Sequence, residues 1–252
     1  MTIASHASGT VFVNPKAGYF TTHYAMDDDR ILRKEFRDGT WGTLDVHFEG
    51  PKHQERVVRK EQGFRKSNSA KTLLFEGPKD EERKVSTEYH NGLVDHYEGP
   101  KGKERLVCTT SKDLRVAIYH EGPVGQERIV RKTYSMPRHA QLFFEGPRGE
   151  ERLVRKIFNS GNMYWLEGRK GEERVVRKMY SNGNFCHMEG PRMQERMKRK
   201  YYTCGAVVHF EGAKNHERRV RRFNTDGTMD LMNEDGESGS DCAEHACGSD
   251  VE

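Results

Sequence analysis

A tandem repeat with a period of about 22 residues constrains this chain more than any other feature of its sequence. A Glu-Gly pair recurs at intervals of 27, 22, 23, 24, 22, 22 and 22 residues, and a Glu-Arg pair begins six residues after each of its glutamates. A fixed period in this range is the signature of a repeat array. The Glu-Gly glutamates are Glu49, Glu76, Glu98, Glu121, Glu145, Glu167, Glu189 and Glu211, and the Glu-Arg glutamates are Glu55, Glu82, Glu104, Glu127, Glu151, Glu173, Glu195 and Glu217.

Each repeat is predicted to be a β-hairpin. The segment before Glu-Gly, such as residues 163–166, is aromatic and β-branched, which favours a strand. A loop of the Gly-Pro-Lys-Gly type then reverses the chain, and Arg-Val-Val-Arg-Lys forms the second strand. A Gly-containing turn such as Asn182-Gly183 leads to the next repeat. A helix is the alternative for Glu-Glu-Arg-Val-Val-Arg-Lys, but Pro or Gly recurs about every ten residues and leaves no room for a stable helix.

The predicted fold class is therefore all-β, an elongated single-layer antiparallel sheet built from tandem β-hairpin repeats of about 22 residues. Residues 1–23 are expected to form an N-terminal segment or cap. Residues 24–227 form the array, with about eight units and one degenerate N-terminal unit, and residues 228–252 form an acidic disordered tail. A thin fold agrees with the 33% hydrophobic content, because a globular domain is usually closer to half apolar.

The aromatic-Glu-Gly start of the repeat and the glycine of its second turn carry a resemblance to a known family. The clearest copies are Phe48-Glu49-Gly50, Tyr97-Glu98-Gly99 and Phe210-Glu211-Gly212, with turn glycines Gly161, Gly183 and Gly205. Over roughly residues 24–227 the chain resembles MORN-repeat proteins, and it is similar to MORN-repeat components of bacterial toxin–antitoxin systems. It departs from the MORN pattern where Pro-Lys and Arg-Val-Val-Arg replace an aromatic residue and Gly-x-Gly. The resemblance implies elongated sheets that serve as scaffolds, dimerise and in some members contact membranes.

Alternation along the second strand sorts its side chains between two faces. Strict alternation places Val176 with Lys178 on one side and Arg177 on the other. The arginine face is then expected to lie near the Glu of each Glu-Gly pair. The apolar ladder would contain Phe48, Phe75, Tyr97, Phe144, Leu166, Met188 and Phe210 with Val58, Val85, Val107, Val130, Val154, Val176 and Val220, and the opposite face Arg59, Arg131, Arg155, Arg177, Arg199 and Arg221.

The arginine face has two interpretations. One is a solvated ladder of ion pairs, which also discourages aggregation at sheet edges. The other is a stripe that binds phosphoinositide head groups, nucleic acid or an acidic protein. Ser86 and Cys108 replace arginine in the middle repeats, so the C-terminal half is the better candidate. The candidate binding residues are Arg155, Arg177, Lys198, Arg199, Lys200, Arg219, Arg221 and Arg222.

No catalytic motif is present in the sequence. It contains no nucleophile elbow, phosphate loop or paired zinc motif. A repeat multiplies every position, whereas an active site needs one singular constellation. We therefore predict no enzymatic activity and no cofactor, and a catalytic site could lie only where the repeat is irregular, near residues 61–72 or 135–140. The weak metal-ligand candidates are Cys242, His245 and Cys247, although free thiols are the preferred interpretation.

The cysteine content and the hydropathy of the sequence limit the cellular compartments in which the protein is expected. Five cysteines without framework spacing predict a reducing compartment. No run approaches the ~18 apolar residues of a membrane span, and the first 20 residues lack an apolar signal region. A cytoplasmic location is therefore predicted.

Charge is distributed unevenly along the chain. Residues 225–252 contain nine acidic residues and no Lys or Arg, while the rest of the chain carries 43 basic and 30 acidic residues. The tail either solubilises the protein or folds back over the basic C-terminal repeats and competes with anionic partners.

These observations together predict a non-catalytic repeat scaffold that mediates protein–protein interaction, with homodimerisation as a further expectation. The alternative is peripheral binding of anionic surfaces, either a phosphoinositide membrane or nucleic acid, through the Arg/Lys face and modulated by the tail.

Overall fold

The computed structural model describes residues 7–12, 19–25, 28–38, 42–63, 70–135 and 139–232. These residues contain twenty β-strands and no helix, so the prediction of an all-β fold of tandem hairpins is confirmed. The strands are β1 Ala7–Phe12, β2 Tyr19–Tyr24, β3 Ile31–Asp38, β4 Gly42–Glu49, β5 Arg56–Gly63, β6 Lys71–Glu76, β7 Arg83–Tyr89, β8 Leu93–Glu98, β9 Arg105–Ser111, β10 Val116–Glu121, β11 Arg128–Tyr134, β12 Ala140–Glu145, β13 Arg152–Phe158, β14 Met163–Glu167, β15 Arg174–Met179, β16 Phe185–Glu189, β17 Arg196–Tyr201, β18 Val207–Glu211, β19 Arg218–Phe223 and β20 Met229–Leu231.

The chain divides into two compact units, unit 1 (Met1–Arg128) and unit 2 (Ile129–Glu252). Strands β1–β10 build the sheet of unit 1 and strands β11–β20 that of unit 2. Within each unit, every described strand pairs antiparallel with the next strand in sequence. The described strands contact only their sequence neighbours, so each unit is an open single-layer meander. Residues 229–231, which the sequence analysis assigns to the tail, form β20, while residues 233–252 lie outside the described part of the chain.

A β-bulge interrupts the repeat hairpins that lie within either unit, just before Glu-Gly. Leu166 pairs with Val175 but Trp165 pairs with Arg177, so Val176 is an extra residue in its strand. The prediction of strict alternation is therefore wrong, because the extra residue places Val175 and Lys178 on the same face. The residues in this bulge position within the two units are Leu32, Val58, Val85, Val107, Val154, Val176, Lys198 and Val220.

The loop between the two strands of a repeat depends on its first glycine. Gly168 has a φ of +122°, and a Cβ on it would lie 2.6 Å from the Glu172 carbonyl oxygen. That position therefore favours glycine on both conformational and steric grounds. The turn that follows is closed by a 2.9 Å hydrogen bond from the Glu172 N–H to the Arg169 carbonyl. The predicted chain reversal after Glu-Gly is confirmed.

The small core of unit 2 lies on one face of its sheet. Pairing of Tyr164 with Lys178, and of Cys186 with both Lys178 and Lys200, defines what we call the lysine face. The ammonium group of Lys178 lies 4.9 Å from the Tyr164 ring centroid, so the lysine stems cover apolar surface. The buried apolar residues of this face are Leu166, Cys186, Ala206, Val208 and Phe210.

The glutamate of each Glu-Arg pair links its repeat to the preceding repeat. The Glu173 carboxylate accepts a 3.1 Å hydrogen bond from the Leu153 N–H, just before the bulge residue of the previous hairpin. Strands of adjacent repeats pair over few residues, as between Arg177–Met179 and Phe185–His187, so a side chain satisfies this amide. The equivalent bonds join Glu55 to Ile31, Glu82 to Val57, Glu104 to Lys84, Glu127 to Leu106, Glu151 to Ile129, Glu195 to Val175 and Glu217 to Met197. We call these bonds the glutamate staples.

A second set of links joins the loops of successive repeats. The Lys170 ammonium donates a 2.7 Å hydrogen bond to the Gly149 carbonyl, one repeat earlier. Lysines in the same loop position donate to earlier carbonyls from Lys79 to His53, from Lys101 to Asp80 and from Lys214 to Met193. The basic residue two positions after the first glycine of the loop therefore has a structural role in this chain.

The glutamate staples make the array sensitive to acid. Burial is the largest influence on the Glu173 carboxyl and opposes ionisation, but backbone N–H hydrogen bonds together outweigh it and lower its pKa below 4.5. The pKa is lowered in the same direction at Glu82, Glu104 and Glu151. A lowered folded-state pKa contributes stability that is present above about pH 4.5 and is lost as the pH falls through the folded-state value.

The substitution Glu173→Gln tests this link. The loss of a charge-assisted hydrogen bond should lower the free energy of unfolding by about 1–2 kcal/mol at neutral pH. The variant should also lose less stability than the parent between pH 6 and pH 3, because one carboxylate no longer titrates. Urea unfolding followed by circular dichroism at several pH values measures both effects. Glu172→Gln is the matched control, since the Glu172 side chain is exposed; an equal effect in both variants would contradict the staple.

Candidate functional site

A row of arginine side chains crosses unit 2 on the face opposite the lysine face. The register places these arginines opposite aromatic and histidine residues on the intervening strands, and successive arginines lie about 9.6 Å apart, because neighbouring strands are ~4.8 Å apart. From β12 to β20 the row is Phe143, Arg155, Trp165, Arg177, His187, Arg199, His209, Arg221 and Leu231. We call Arg155, Arg177, Arg199 and Arg221 the arginine ladder, and this side of unit 2 the arginine face.

Aromatic rings hold two of the ladder arginines in position. The Arg177 guanidinium lies 4.9 Å from the Trp165 ring centroid and 4.5 Å from that of Phe185. The Arg155 guanidinium lies 4.2 Å from the Phe143 ring. Contacts of this kind contribute about 0.5–1 kcal/mol at exposed sites and limit the rotamers of the long side chain. The rings therefore order the guanidinium groups of Arg155 and Arg177 within the row.

The ladder arginines make no ion pair with a carboxylate in the described part of the chain. The expectation that they lie near the Glu of each Glu-Gly pair is corrected by the register. The bulge places Arg174 opposite Glu167, and these two residues pair at 3.9 Å. The same pairing joins Arg152 and Glu145 at 3.4 Å. Glu145 and Glu167 thus pair with Arg152 and Arg174 and not with the ladder arginines, which keep their charge.

Unit 1 contains the equivalent row, but there the arginines form ion pairs. Its arginines meet carboxylates, because the neighbouring row of side chains is acidic rather than apolar. Arg33 lies 3.3 Å from Asp45 and Arg59 lies 2.7 Å from Glu61. Further along the row Ser86 and Cys108 occupy the arginine position, so the predicted interruption is confirmed. An uncompensated series of arginines is therefore a property of unit 2.

An apolar row runs beside the ladder on the arginine face. Phe185 and Tyr201 stack at 4.4 Å, and Phe223 lies 5.2 Å from His209. Met229 is 51% exposed, which leaves a large apolar side chain in contact with solvent. In strand order the row is Ile157, Met163, Met179, Phe185, Tyr201, Val207, Phe223 and Met229. Arginine, aromatic residues and methionine are the types enriched at protein interfaces.

The positive potential of the ladder acts on the histidines within it. The pKa of His209 is lowered from 6.5, first by burial and then by the charges of Arg199, Arg221 and Lys198. Neutral imidazole is therefore favoured between two ladder arginines.

The eight predicted binding residues divide between both faces. Arg155, Arg177, Arg199 and Arg221 come together as the ladder. Lys200 and Arg222 lie on the lysine face, opposite Val208, and Arg219 pairs there with Phe210. Lys198 is the bulge residue of its strand. Sequence reasoning missed Trp165 and Phe185, whose only sequence signal is their spacing of two residues from other arginine-face positions.

Two open depressions lie where the repeat is irregular. One, of about 330 Å³, adjoins residues 135–140, and the other, of about 290 Å³, adjoins residues 61–72. No group of three or more His, Cys, Asp or Glu side chains in the described ranges is placed to hold a metal ion. The metal-ligand candidates Cys242, His245 and Cys247 lie outside those ranges.

Hydropathy and sequence comparison add little to this geometry. Among the residues that the structure describes, no helix has the length and apolar character needed to cross a membrane. Comparison of the sequence with models of known protein families gives no match, and comparison with curated proteins gives none. The resemblance to MORN repeats therefore stays a prediction.

The substitution Arg199→Gln tests the electrostatics of the ladder. Removing a positive charge opposite His209 should raise the pKa of His209, because protonation no longer meets that repulsion. Titration of the imidazole signals by NMR measures the change, which should be largest at low ionic strength. Arg155→Gln, on a distant strand of the same row, is the control; equal pKa changes in both variants would argue against the register.

Proposed function

We propose that this protein is a non-catalytic repeat scaffold that binds a partner protein through the arginine face of unit 2. The observation that carries this proposal is the arginine ladder, which combines aligned guanidinium groups with no carboxylate partner among the described residues. Uncompensated charge on one face attracts a partner of opposite charge and sets its orientation.

The apolar row favours a protein as the partner. Trp, Tyr and Arg are the residue types that dominate binding energy in protein interfaces, and Trp165, Tyr201 and the ladder bring them together. Glutamate staples and loop lysines connect successive repeats, so the face is supported by a regular backbone framework.

The proposal includes a MORN-like identity, a cytoplasmic location, homodimerisation and the absence of a cofactor.

The alternative proposal is peripheral binding of an anionic surface, either a phosphoinositide membrane or nucleic acid. The same uncompensated guanidinium groups support it, because arginine forms strong paired hydrogen bonds to phosphate. Phosphate recognition gives the apolar row no role. The two proposals also differ in salt dependence, since phosphate binding falls steeply with ionic strength.

A pair of charge-matched variants tests the proposed function. The ladder variant carries Arg155→Gln, Arg177→Gln, Arg199→Gln and Arg221→Gln. The control variant carries Lys156→Gln, Lys178→Gln, Lys200→Gln and Arg222→Gln, which removes four charges from the next residues of the same strands on the lysine face. Both variants must first show the circular dichroism spectrum of the parent.

Affinity capture with quantitative mass spectrometry then compares the three proteins. We expect the ladder variant to lose the partner by at least about tenfold, which corresponds to ~1.4 kcal/mol of binding energy, while the control variant retains it. Equal retention by both variants would refute the role of the arginine face. Binding of phosphoinositide vesicles or an oligonucleotide at low but not at high ionic strength would favour the alternative.

A further inference from the structure

Asp95 on β8 breaks the pattern of the repeat. It lies directly opposite Thr87 on one neighbouring strand and Thr109 on the other. In the corresponding positions of the lysine face, Tyr164 lies between two lysines. This place in unit 1 has therefore lost two ammonium groups and gained a carboxylate. A repeat multiplies most positions, so a singular cluster of this kind is where a ligand site is to be sought.

Two phenol groups converge on the Asp95 carboxylate. The Tyr89 hydroxyl donates a 2.9 Å hydrogen bond to Asp95 Oδ2, and the Tyr97 hydroxyl donates to the same oxygen at 3.3 Å. The two hydroxyls also interact with each other, so the three oxygens form a compact triangle. The Thr109 hydroxyl donates a 2.7 Å hydrogen bond to Asp95 Oδ1, which fixes the orientation of the carboxylate.

The size of this triangle fits one face of a metal coordination shell. An octahedral cation with metal–oxygen bonds of about 2.0–2.1 Å has neighbouring ligand oxygens about 2.8–3.0 Å apart. The oxygens of Tyr89 and Tyr97 lie 2.9 and 3.3 Å from Asp95 Oδ2, so a small movement of Tyr97 completes the geometry. Tyr89 is 38% exposed, which leaves the outer coordination positions open to water.

The charge of these groups favours a trivalent cation. The pKa of the Tyr89 phenol is raised above 10, first by burial and then by the hydrogen bond and charge of Asp95. Mg²⁺ and Ca²⁺ bind carboxylates and water and leave such a phenol protonated, whereas a cation of higher charge stabilises the phenolate. One carboxylate and two phenolates supply three negative charges. They balance the charge of a trivalent cation.

A second aspartate in the same repeat position provides a contrast. Asp230 on β20 lies opposite Arg222 and accepts a 2.9 Å hydrogen bond from the Asn224 side chain. The guanidinium group repels a cation, and the amide has no acidic proton to give up at neutral pH. The aspartate alone therefore does not make the site, and the phenols and threonines around Asp95 distinguish it.

We propose that Asp95, Tyr89 and Tyr97 bind a hard trivalent cation, with Fe³⁺ as its representative. On binding, both phenol O–H bonds break, two metal–phenolate bonds form and two protons pass to water. The ammonium group of Lys84, 3.5 Å from the Tyr97 ring centroid, lies beside the site and favours an anion as an outer ligand. The site belongs to unit 1 and goes beyond the proposed function, because the cation is a ligand of the scaffold and takes part in no reaction.

Visible absorption tests the site, because Fe³⁺ bound to a phenolate gives a charge-transfer band that Fe³⁺ bound to carboxylates alone lacks. Fe³⁺ is added to the full chain as its nitrilotriacetate complex. We expect the parent to develop the band with one equivalent of the metal. Tyr89→Phe and Asp95→Asn should each weaken binding by at least about tenfold, since each removes a ligand. Circular dichroism first establishes that the variants are folded.

Tyr180→Phe is the matched control. Tyr180 occupies the same repeat position as Tyr89, but the Cys186 thiol contacts its hydroxyl at 3.4 Å in place of an aspartate. This variant should keep the band of the parent. A parent without the band, or equal losses in Tyr89→Phe and Tyr180→Phe, would overturn the proposal.

NMR with a diamagnetic cation tests the same ligands in the unaltered chain, where no variant has to fold. Ga³⁺, added as its nitrilotriacetate complex, should shift the ring signals of Tyr89 and Tyr97 and spare those of Tyr180. Mg²⁺ at the same concentration should shift none of them. Ring shifts with Mg²⁺ alone would contradict the trivalent class, and the absence of shifts with both cations would contradict the site.

Discussion

The hydrogen bond that the backbone N–H before each bulge donates to the Glu-Arg carboxylate of the next repeat is the interaction on which the array depends. Adjacent repeats share only a short stretch of strand pairing, which ends at Arg177 and His187 on the side of the loops. The staple from Glu173 to Leu153 closes that gap with a charge-assisted bond. It recurs in each repeat, so the array is tied together by one contact copied many times. Because this bond needs a carboxylate acceptor, it also explains the most regular sequence feature, the glutamate six residues after the glutamate of each Glu-Gly pair.

The bulge that each staple flanks decides which charges meet. One extra residue moves Arg174 opposite Glu167 and moves Arg177 opposite Trp165. Glu167 and Arg174 are thereby neutralised at the loop end of their hairpin, as are Glu145 and Arg152, while Arg177 is held against an aromatic ring. Where the neighbouring row is acidic, as at Glu35 and Asp45 of unit 1, that arginine is neutralised as well. In unit 2 the neighbouring row is apolar, and the ladder keeps its charge. The same backbone thus yields two different surfaces.

The repeat and its hairpins could be predicted from sequence, because period, turn glycines and strand composition are local signals. The bulge could not be predicted, because Val175 and Val176 are equally good strand residues. Neither residue type indicates which of the two is the extra one. A prediction that omits the bulge groups Lys178 with Val176 instead of Val175. It also places Arg177 near the glutamate of Glu-Gly. The candidate site was therefore predicted as one stripe, whereas Lys200, Arg219 and Arg222 lie with the core and only the ladder arginines share a face. The pairing of Arg177 with Trp165 and Phe185 depends on register, which composition does not encode.

A one-residue bulge at Val176 sets Arg177 opposite Trp165 and Arg174 opposite Glu167, so that the ladder arginines do not pair with the Glu-Gly carboxylates. This arrangement is tested by the pattern of interstrand nuclear Overhauser effects between β14 and β15 in the intact protein. We expect cross-strand contacts from Leu166 to Val175 and from Trp165 to Arg177, with Val176 lacking a partner directly opposite. A contact from Trp165 to Val176 in continuous register would contradict it, because the bulge would then be absent and the faces would follow strict alternation.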